Sequence, residues 1–329
     1  MTKVSVVVIA YNIEHYIKKC LESIMNQTFE DLEVVVVNDG STDQTLMEIE
    51  KVATLDSRIR VIDKENGGAM EARYSGFKSS KGNYILFVDG DDWIHKETVE
   101  RLHKNAMEEN CDIVLYNYYL VYKDNLKPSK SYTDQLHKID DNLKCSLLCY
   151  ITPSLWAKFI KRSFLIDNKI DFPNNLSYAE DLAMVINLFI CKPKISILDK
   201  NLYYYLQRED SITKSLDNRV FDIPRAVNYI RSNLIKEGLY QKYKEEFDYL
   251  AYTHIFYNKI ICTNNYNDIH KKINDAWKRQ KININRNKYF IKLKKNSSFG
   301  LRIKMRLFNY NHRMGLFYLS IRRSMGIRY

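Results

Sequence analysis

Proline is scarce in this sequence, at 5 of 329 residues, and glycine is little commoner at 10. So few chain breakers exclude long disordered linkers, and the sequence shows no low-complexity tract and no internal repeat. Cysteine occurs six times, at Cys20, Cys111, Cys145, Cys149, Cys191 and Cys262, with no Cys-x-x-Cys pair and no zinc spacing. Reduced thiols are expected rather than a disulfide framework. No apolar run approaches the ~20 residues of a membrane span, and Val4–Ala10 is too short for the core of a signal peptide. Cytosolic residence is the expectation. The glycine-rich phosphate cradles Gly-x-Gly-x-x-Gly and Gly-x-x-x-x-Gly-Lys-[Ser/Thr] are missing too. A diphosphate ligand would then have to be held by a metal ion and a cationic side chain.

Acid is what the last part of the chain lacks. From Lys271 to Tyr329, 17 Lys/Arg face the single acid Asp275, a balance of +16, so residues 1–270 carry −5 of the total +11. A basic tail on a mildly acidic body points to an anionic partner, either a membrane or a nucleic acid. The length admits one large domain with an appendage, or two domains.

What the sequence has in quantity is buried strand followed by polar turn. Val4–Ala10 and Leu32–Val37 are β-branched and apolar on both faces, as central parallel strands are. Ile59–Asp63 and Tyr84–Val88 complete a set of four. Between them, Ile13–Asn26 has helical spacing through Tyr16, Cys20, Leu21 and Ile24, and a Ser41/Gln44 capping box opens a helix with Leu46, Ile49 and Ala53 on one face. Ala69–Ser80 is a third helix and carries Arg73. Four strand–helix units predict a parallel sheet with helices on both faces. Each unit delivers a polar group to the same sheet edge: Tyr11, Asp39, the 66–73 segment, and Asp89 with Asp91. The apolar run Ile85–Val88 leads straight into Asp89, Asp91 and Asp92, and three carboxylates so close call for a cation among them. Hard oxygen ligands suit Mg²⁺ or Mn²⁺. Gly90 is expected to keep that turn open to a ligand. A lone Asp after a strand is commonly a helix cap, but the convergence of consecutive units points to a nucleotide-sized pocket.

Four segments together resemble the family 2 glycosyltransferases: Ser5-Val-Val-Val-Ile-Ala-Tyr-Asn12, Val37-Asn-Asp-Gly-Ser-Thr-Asp43, Asn66-Gly-Gly-Ala-Met-Glu-Ala-Arg-Tyr-Ser-Gly76 and Phe87-Val-Asp-Gly-Asp-Asp-Trp93. The match is ordered and covers about 1–215. It implies an α/β architecture, the GT-A nucleotide-diphospho-sugar transferase fold, with a mostly parallel central sheet flanked by helices, and inversion at the anomeric centre. Position by position, it implies that Asp39 reads the nucleotide base, that Tyr11, between Ala10 and Asn12, packs against that base, and that Arg73 supports the nucleotide. Asp89, Gly90 and Asp91 become the D-x-D turn, with Asp89 and Asp91 on ribose and metal. Ala10 stands where Pro is common in the family, and Tyr74 where Asn is common. Leu155–Arg162 resembles the family's Trp-x-Lys-x-x-x-Arg segment, which puts Trp156 and Lys158 on the acceptor side, although Trp156 fits a core position equally well. Glu180-Asp181 matches a Glu-Asp pair at a helix start, in which the Asp is the general base. A sugar hydroxyl must lose its proton as it attacks, and a carboxylate within reach can accept it. Read alone, the same pair is acid at a helix N-terminus, favoured by the dipole. Tyr203–Thr213 resembles the family's closing segment, with Leu206 where Arg is frequent and Arg208 offering that charge from another angle.

The resemblance implies a domain over 1–217, with 1–122 the nucleotide-sugar half and 123–217 the acceptor half. Apolar helical spacing over Val220–Glu237 and Tyr240–Thr263, with the charge balance, predicts a helical, strongly basic region over 218–329. The resemblance implies transfer from a nucleotide-diphospho-sugar, a UDP-sugar, to a glycan or lipid-linked oligosaccharide, as in bacterial capsule or exopolysaccharide assembly, with Mn²⁺ or Mg²⁺. Polar residues Asp124–Asp141 are expected over the pocket. The tail is expected to lie as a helix on an anionic membrane at the inner face of the cell, or to dock a partner, and Leu301–Leu307 alternates like a strand. No nucleic-acid partner is expected. A sugar nucleotidyltransferase, or a nucleic-acid-binding protein using the tail, are the alternatives.

Overall fold

The computed structural model describes residues 2–123, 125–129, 148–208, 218–262 and 268–325. They fall into two compact units. Residues 2–123, 125–129 and 152–208 form the first, and residues 148–151 join 218–262 and 268–325 in the second.

In the first unit, β1 (Val4–Ala10), α1 (Ile17–Met25), β2 (Leu32–Asp39), α2 (Thr45–Ala53), β3 (Ile59–Lys64), α3 (Ala69–Ser79) and β4 (Tyr84–Asp89) alternate as the sequence pattern predicts. The four strands are parallel, in the order β3-β2-β1-β4. Val4, Val6, Val7 and Val8 have no exposed surface, which a strand covered on both faces requires. On α1, Ile17, Cys20, Leu21 and Ile24 are buried at i, i+3, i+4 and i+7, the stripe that faces a core. Next come β5 (Trp93–Ile94), α4 (Thr98–Glu109), β6 (Ile113–Tyr122), β7 (Asn125–Pro128), β8 (Lys158–Lys161), α5 (Arg162–Asp167), α6 (Glu180–Ile190) and β9 (Ile195–Leu206). Beyond β4 the sheet is mixed: β8 lies antiparallel between β4 and β6, β9 is parallel to β6, and β5 closes the row antiparallel to β9.

One local expectation is corrected, and a second falls largely outside the described residues. Ser41 does not cap α2, because its hydroxyl accepts the Asn12 N–H (3.1 Å), and the Thr45 N–H goes to Asp43 (2.9 Å) instead. The buried face of α2 is Thr45, Ile49 and Val52. Within Asp124–Asp141, residues 125–128 are an exposed strand hydrogen-bonded to β6, while 124 and 130–141 lie outside the described residues.

Helices joined by turns make up the described residues of the second unit. It comprises α7 (Asp222–Lys236), α8 (Lys244–Ala251) leading directly into a π-helical run at Tyr252–Ile261, then α9 (Asp268–Arg279), α10 (Lys288–Lys295), α11 (Phe299–Tyr310) and α12 (His312–Ser324). The strand-like alternation of Leu301–Leu307 is therefore overridden, and the segment is helix. Aromatic rings fill this core, with Tyr252 against Trp277 (5.5 Å) and Phe290 (5.0 Å). No helix among the described residues is long and apolar enough to cross a membrane.

Candidate active site

The carboxyl ends of the parallel strands bring the chemistry to one edge. After β1, Asn12 sits at φ 50°, and its side-chain Oδ1 accepts the Thr42 N–H (2.8 Å) from the turn after β2. The Ile13 N–H donates to Thr45 Oγ1 (2.8 Å), so these two turns clamp each other and leave Tyr11 nearly half exposed beside them. At the end of β2, Asp39 is buried, and its carboxylate accepts from Lys64 Nζ (2.9 Å) and from the Gly67 and Gly68 N–H groups (2.9 and 2.8 Å). Gly68, at φ 88°, is the residue from which α3 starts. Asp39 therefore shapes the loop that launches the helix carrying Arg73.

Arg73 is 4% exposed and joins two groups of acids. One terminal nitrogen donates to Asp89 Oδ1 (2.8 Å) at the end of β4, and the other to Asp181 Oδ1 (2.8 Å) on the first turn of α6, with Glu180 4.0 Å away. Burial opposes its charge, yet Asp181, Asp89 and Glu180 outweigh that and hold its pKa above the ordinary value. Its Nε has no hydrogen-bond acceptor among the described residues. Asp181 uses both oxygens, because Oδ2 accepts the Leu155 N–H (3.2 Å). Burial raises the pKa of Asp181, against the pull of Arg73, and burial with the Asp181 charge pushes Glu180 up to about 7.

The acidic turn divides its labour. Asp92 is buried, accepting from the Tyr203 hydroxyl (2.7 Å) and the Leu206 N–H (2.7 Å). Burial first, then the Asp91 and Asp89 charges, push its pKa well up. Asp91 pairs with Arg208 (3.1 Å), whose guanidinium also lies over the Tyr16 ring. The other two carboxylates of the turn are Asp89 and Asp91. Among the described residues no cluster of three or more His, Cys, Asp or Glu side chains could hold a metal by itself. A Mg²⁺-type ion bound by one or two carboxylates and completed by substrate phosphates and water needs no such cluster, and this donor set fits it.

The family profile described as Glycosyl transferase family 2 matches residues 5–165. The putative glycosyltransferase EpsH of Bacillus subtilis is 30% identical over 267 residues, which is 79% of this chain and 76% of EpsH. The chain belongs to glycosyl transferase family 2. Glycosyltransferase GlyA of Streptococcus pneumoniae is 32% identical over 227 residues, 64% of this chain and 32% of GlyA, so the chain spans about a third of that relative. TarS of Staphylococcus aureus, a poly(ribitol-phosphate) beta-N-acetylglucosaminyltransferase, is 30% identical over 250 residues, 75% of this chain and 43% of TarS. The crystal structure of TarS 1–349 in complex with UDP matches with a TM-score of 0.68 at 23% identity, over 99% of this chain and 93% of that one. The fold is the GT-A fold.

In this glycosyltransferase the structure brings Asp89, Arg73, Glu180 and Asp181 together, with Asp91 and Arg208 as a neighbouring pair. Tyr11 and Asn12 lie at the ends of the same strands, and Ala10 is buried in β1. Gly90 differs from expectation in one respect: a Cβ there would meet Ile9 O at 2.7 Å and Ile13 Cδ1 at 2.6 Å, so packing beneath the turn by itself requires glycine. Trp156 and Lys158 also differ, for both are buried instead of facing an acceptor. Trp156 stacks on Tyr203 (4.4 Å, 9°), and Lys158 donates to backbone carbonyls. Sequence reasoning missed Lys64, Asp92, Tyr203 and the Leu155 N–H. Asp92 was in view as the third acid of the turn, but nothing local marks its hydroxyl partner 111 residues away.

Proposed function

We propose that this glycosyltransferase moves a sugar from a UDP-sugar to a hydroxyl of a glycan or lipid-linked oligosaccharide by a single displacement with inversion. The observation that carries the reading is Arg73 hydrogen-bonded at once to Asp89 of the acidic turn and to Asp181 of the second half of the sheet unit. That contact puts a donor-side carboxylate and a proton acceptor within one guanidinium of each other. Asp181 takes the proton of the attacking hydroxyl, and its raised pKa brings it toward the range in which a base works best near neutral pH. Arg73 keeps it ionised and oriented. Tyr11 offers an exposed ring to the base, and Asp39 keeps one of its four acceptor sites for the same base. A divalent cation, Mn²⁺ or Mg²⁺, held by Asp89 and Asp91 supplies positive charge against the departing diphosphate. Burial of Asp92 disfavours a third negative charge in that turn. The choice of UDP rests on TarS, which was crystallised with UDP.

The test is calorimetric titration of UDP with and without Mn²⁺, beside a transfer assay. Asp181→Asn should abolish transfer while leaving UDP affinity near wild type, because only the proton acceptor is lost. Asp91→Asn should lose metal-dependent UDP affinity together with transfer. Retained transfer in Asp181→Asn would move the base to Glu180, and unchanged metal dependence in Asp91→Asn would remove the metal assignment.

A peripheral position on the cytoplasmic face of a membrane belongs to the same proposal. It is supported by exposed apolar side chains set among the bases of the second unit, with Phe299, Tyr310 and Phe317 each more than two-thirds exposed.

A further inference from the structure

Lys158 has no exposed surface, although burying an ammonium is costly unless it is well bonded. Its Nζ donates to the carbonyls of Thr152 (2.6 Å) and Ser154 (2.7 Å). The Ser154 carbonyl and the Leu155 N–H belong to one peptide group, and that N–H donates to Asp181 Oδ2 (3.2 Å). Amine, carbonyl, amide and carboxylate thus follow one another across a single planar unit. A donor on the carbonyl side polarises the peptide and strengthens the N–H on its far side, as in any chain of hydrogen bonds. The rest of the segment is fixed as well: the Tyr116 hydroxyl donates to the Trp156 carbonyl, and the Trp156 ring lies on Tyr203. Ser154 is extended (φ −81°, ψ 134°) and Leu155 opens a 3₁₀ turn, so the peptide is held from both ends.

We infer that Lys158 is a positioning residue for the transfer reaction, orienting the Asp181 carboxylate through the Ser154–Leu155 peptide without touching either substrate. The inference rests on the reading of Asp181 as the base. Arg73 from α3 fixes Oδ1 of the same carboxylate, and Lys158, through the peptide, fixes Oδ2. With both oxygens anchored, the carboxylate plane is set before the acceptor arrives, which is where orientation lowers a barrier.

The experiment uses the full chain, UDP titration, and hydrolysis of whichever UDP-sugar of a panel the wild-type enzyme cleaves, with water standing in for the acceptor hydroxyl. Lys158→Met keeps most of the buried volume and removes both donations. It should lower kcat by about 10- to 100-fold, the scale of a misplaced catalytic group, while KM for the donor and the affinity for UDP stay within about twofold of wild type. Wild-type kcat in a folded Lys158→Met would overturn the inference, as would equal losses in kcat and donor binding. Should Lys158→Met fail to fold, Leu155→Pro removes the amide hydrogen and, with it, a buried leucine side chain. Proline is tolerated at the first residue of a helical turn, and the extended Ser154 suits a following proline. It should show the same split between kcat and KM, and wild-type kcat there overturns the inference equally. Asp181→Asn is measured alongside. If it keeps wild-type hydrolysis, the base reading has failed and the inference with it. If it is inactive while Lys158→Met is not, the inference alone has failed.

Discussion

At the scale of single residues, Arg73 dominates the site because three carboxylates depend on it. Arg73→Met should leave Asp89, Glu180 and Asp181 facing one another without a cation, at a cost of about 3–5 kcal/mol, the usual penalty for breaking a buried ion pair from one side. Urea unfolding measures that loss, and a change below about 1 kcal/mol would show the acids solvated. Glu180 gives a prediction in pH. Its carboxyl is pushed up to about 7 by burial and then by Asp181, above the ordinary 4.5, so the folded state holds this proton more tightly than the unfolded one. Stability from this group is present below pH 4.5 and is lost as pH rises through 7, because the folded state must release a proton it favours. Glu180→Gln should flatten that fall and be more stable than wild type at pH 8, on the order of 1–3 kcal/mol. Parallel melts from pH 5 to 8 check it, and curves that keep the wild-type slope would contradict it. Much of this cluster was legible in the sequence. Asp39, Asp89 and Asp91 follow apolar strand runs, which placed them at one sheet edge, whereas Arg73 and Asp181 were picked out by the family resemblance. Lys158 was not legible, because its partners are backbone carbonyls, which leave no trace in side-chain identity.

Among elements, α3 decides where Arg73 stands. Gly76 faces the sheet so closely that a Cβ would come within 2.3 Å of Val7 Cγ1 and 3.3 Å of Val37 Cγ2. Gly76→Ala should therefore lift α3 from β1 and β2 at a cost of about 1–3 kcal/mol, the usual range for overpacking, and UDP affinity should fall with it because Arg73 moves. Thermal unfolding and UDP titration of the one variant test both parts, and unaltered values in both would mean that the helix adapts. The parallel half of the sheet was readable because each of its strands is a continuous apolar run buried on both faces. The strand pairing beyond β4 was not. There β8 has only four residues and begins with a lysine, and β6 is long enough to pair with β7, β8 and β9 in turn. The cap of α2 was misread for a related reason: a tertiary partner, the Asn12 N–H, outbids the local one for the Ser41 hydroxyl.

For the whole molecule, charge and connectivity set the expectations. Removing the tail from about Asn285 would take away Tyr289 and Phe290, which are buried in the second unit, so loss of vesicle binding on truncation would not separate adhesion from unfolding. Surface changes are cleaner. Reversing Lys292, Lys294 and Lys295 to Glu removes cations that each contribute about 1 kcal/mol near an anionic surface. Together with Phe317→Ser, these changes should weaken sedimentation with phosphatidylserine vesicles by well over tenfold and spare donor hydrolysis. Sedimentation equal to wild type would argue for a protein partner instead. Connectivity bears on exchange between relatives. The second unit is discontinuous, since 148–151 belongs with the helices that follow 218, and Tyr150 lies beside Tyr249 (6.4 Å) and Tyr289 (6.1 Å). A chimera spliced at a single junction after residue 217 would part Tyr150 from the rings of Tyr249 and Tyr289. Swapping this module intact takes a second, upstream graft.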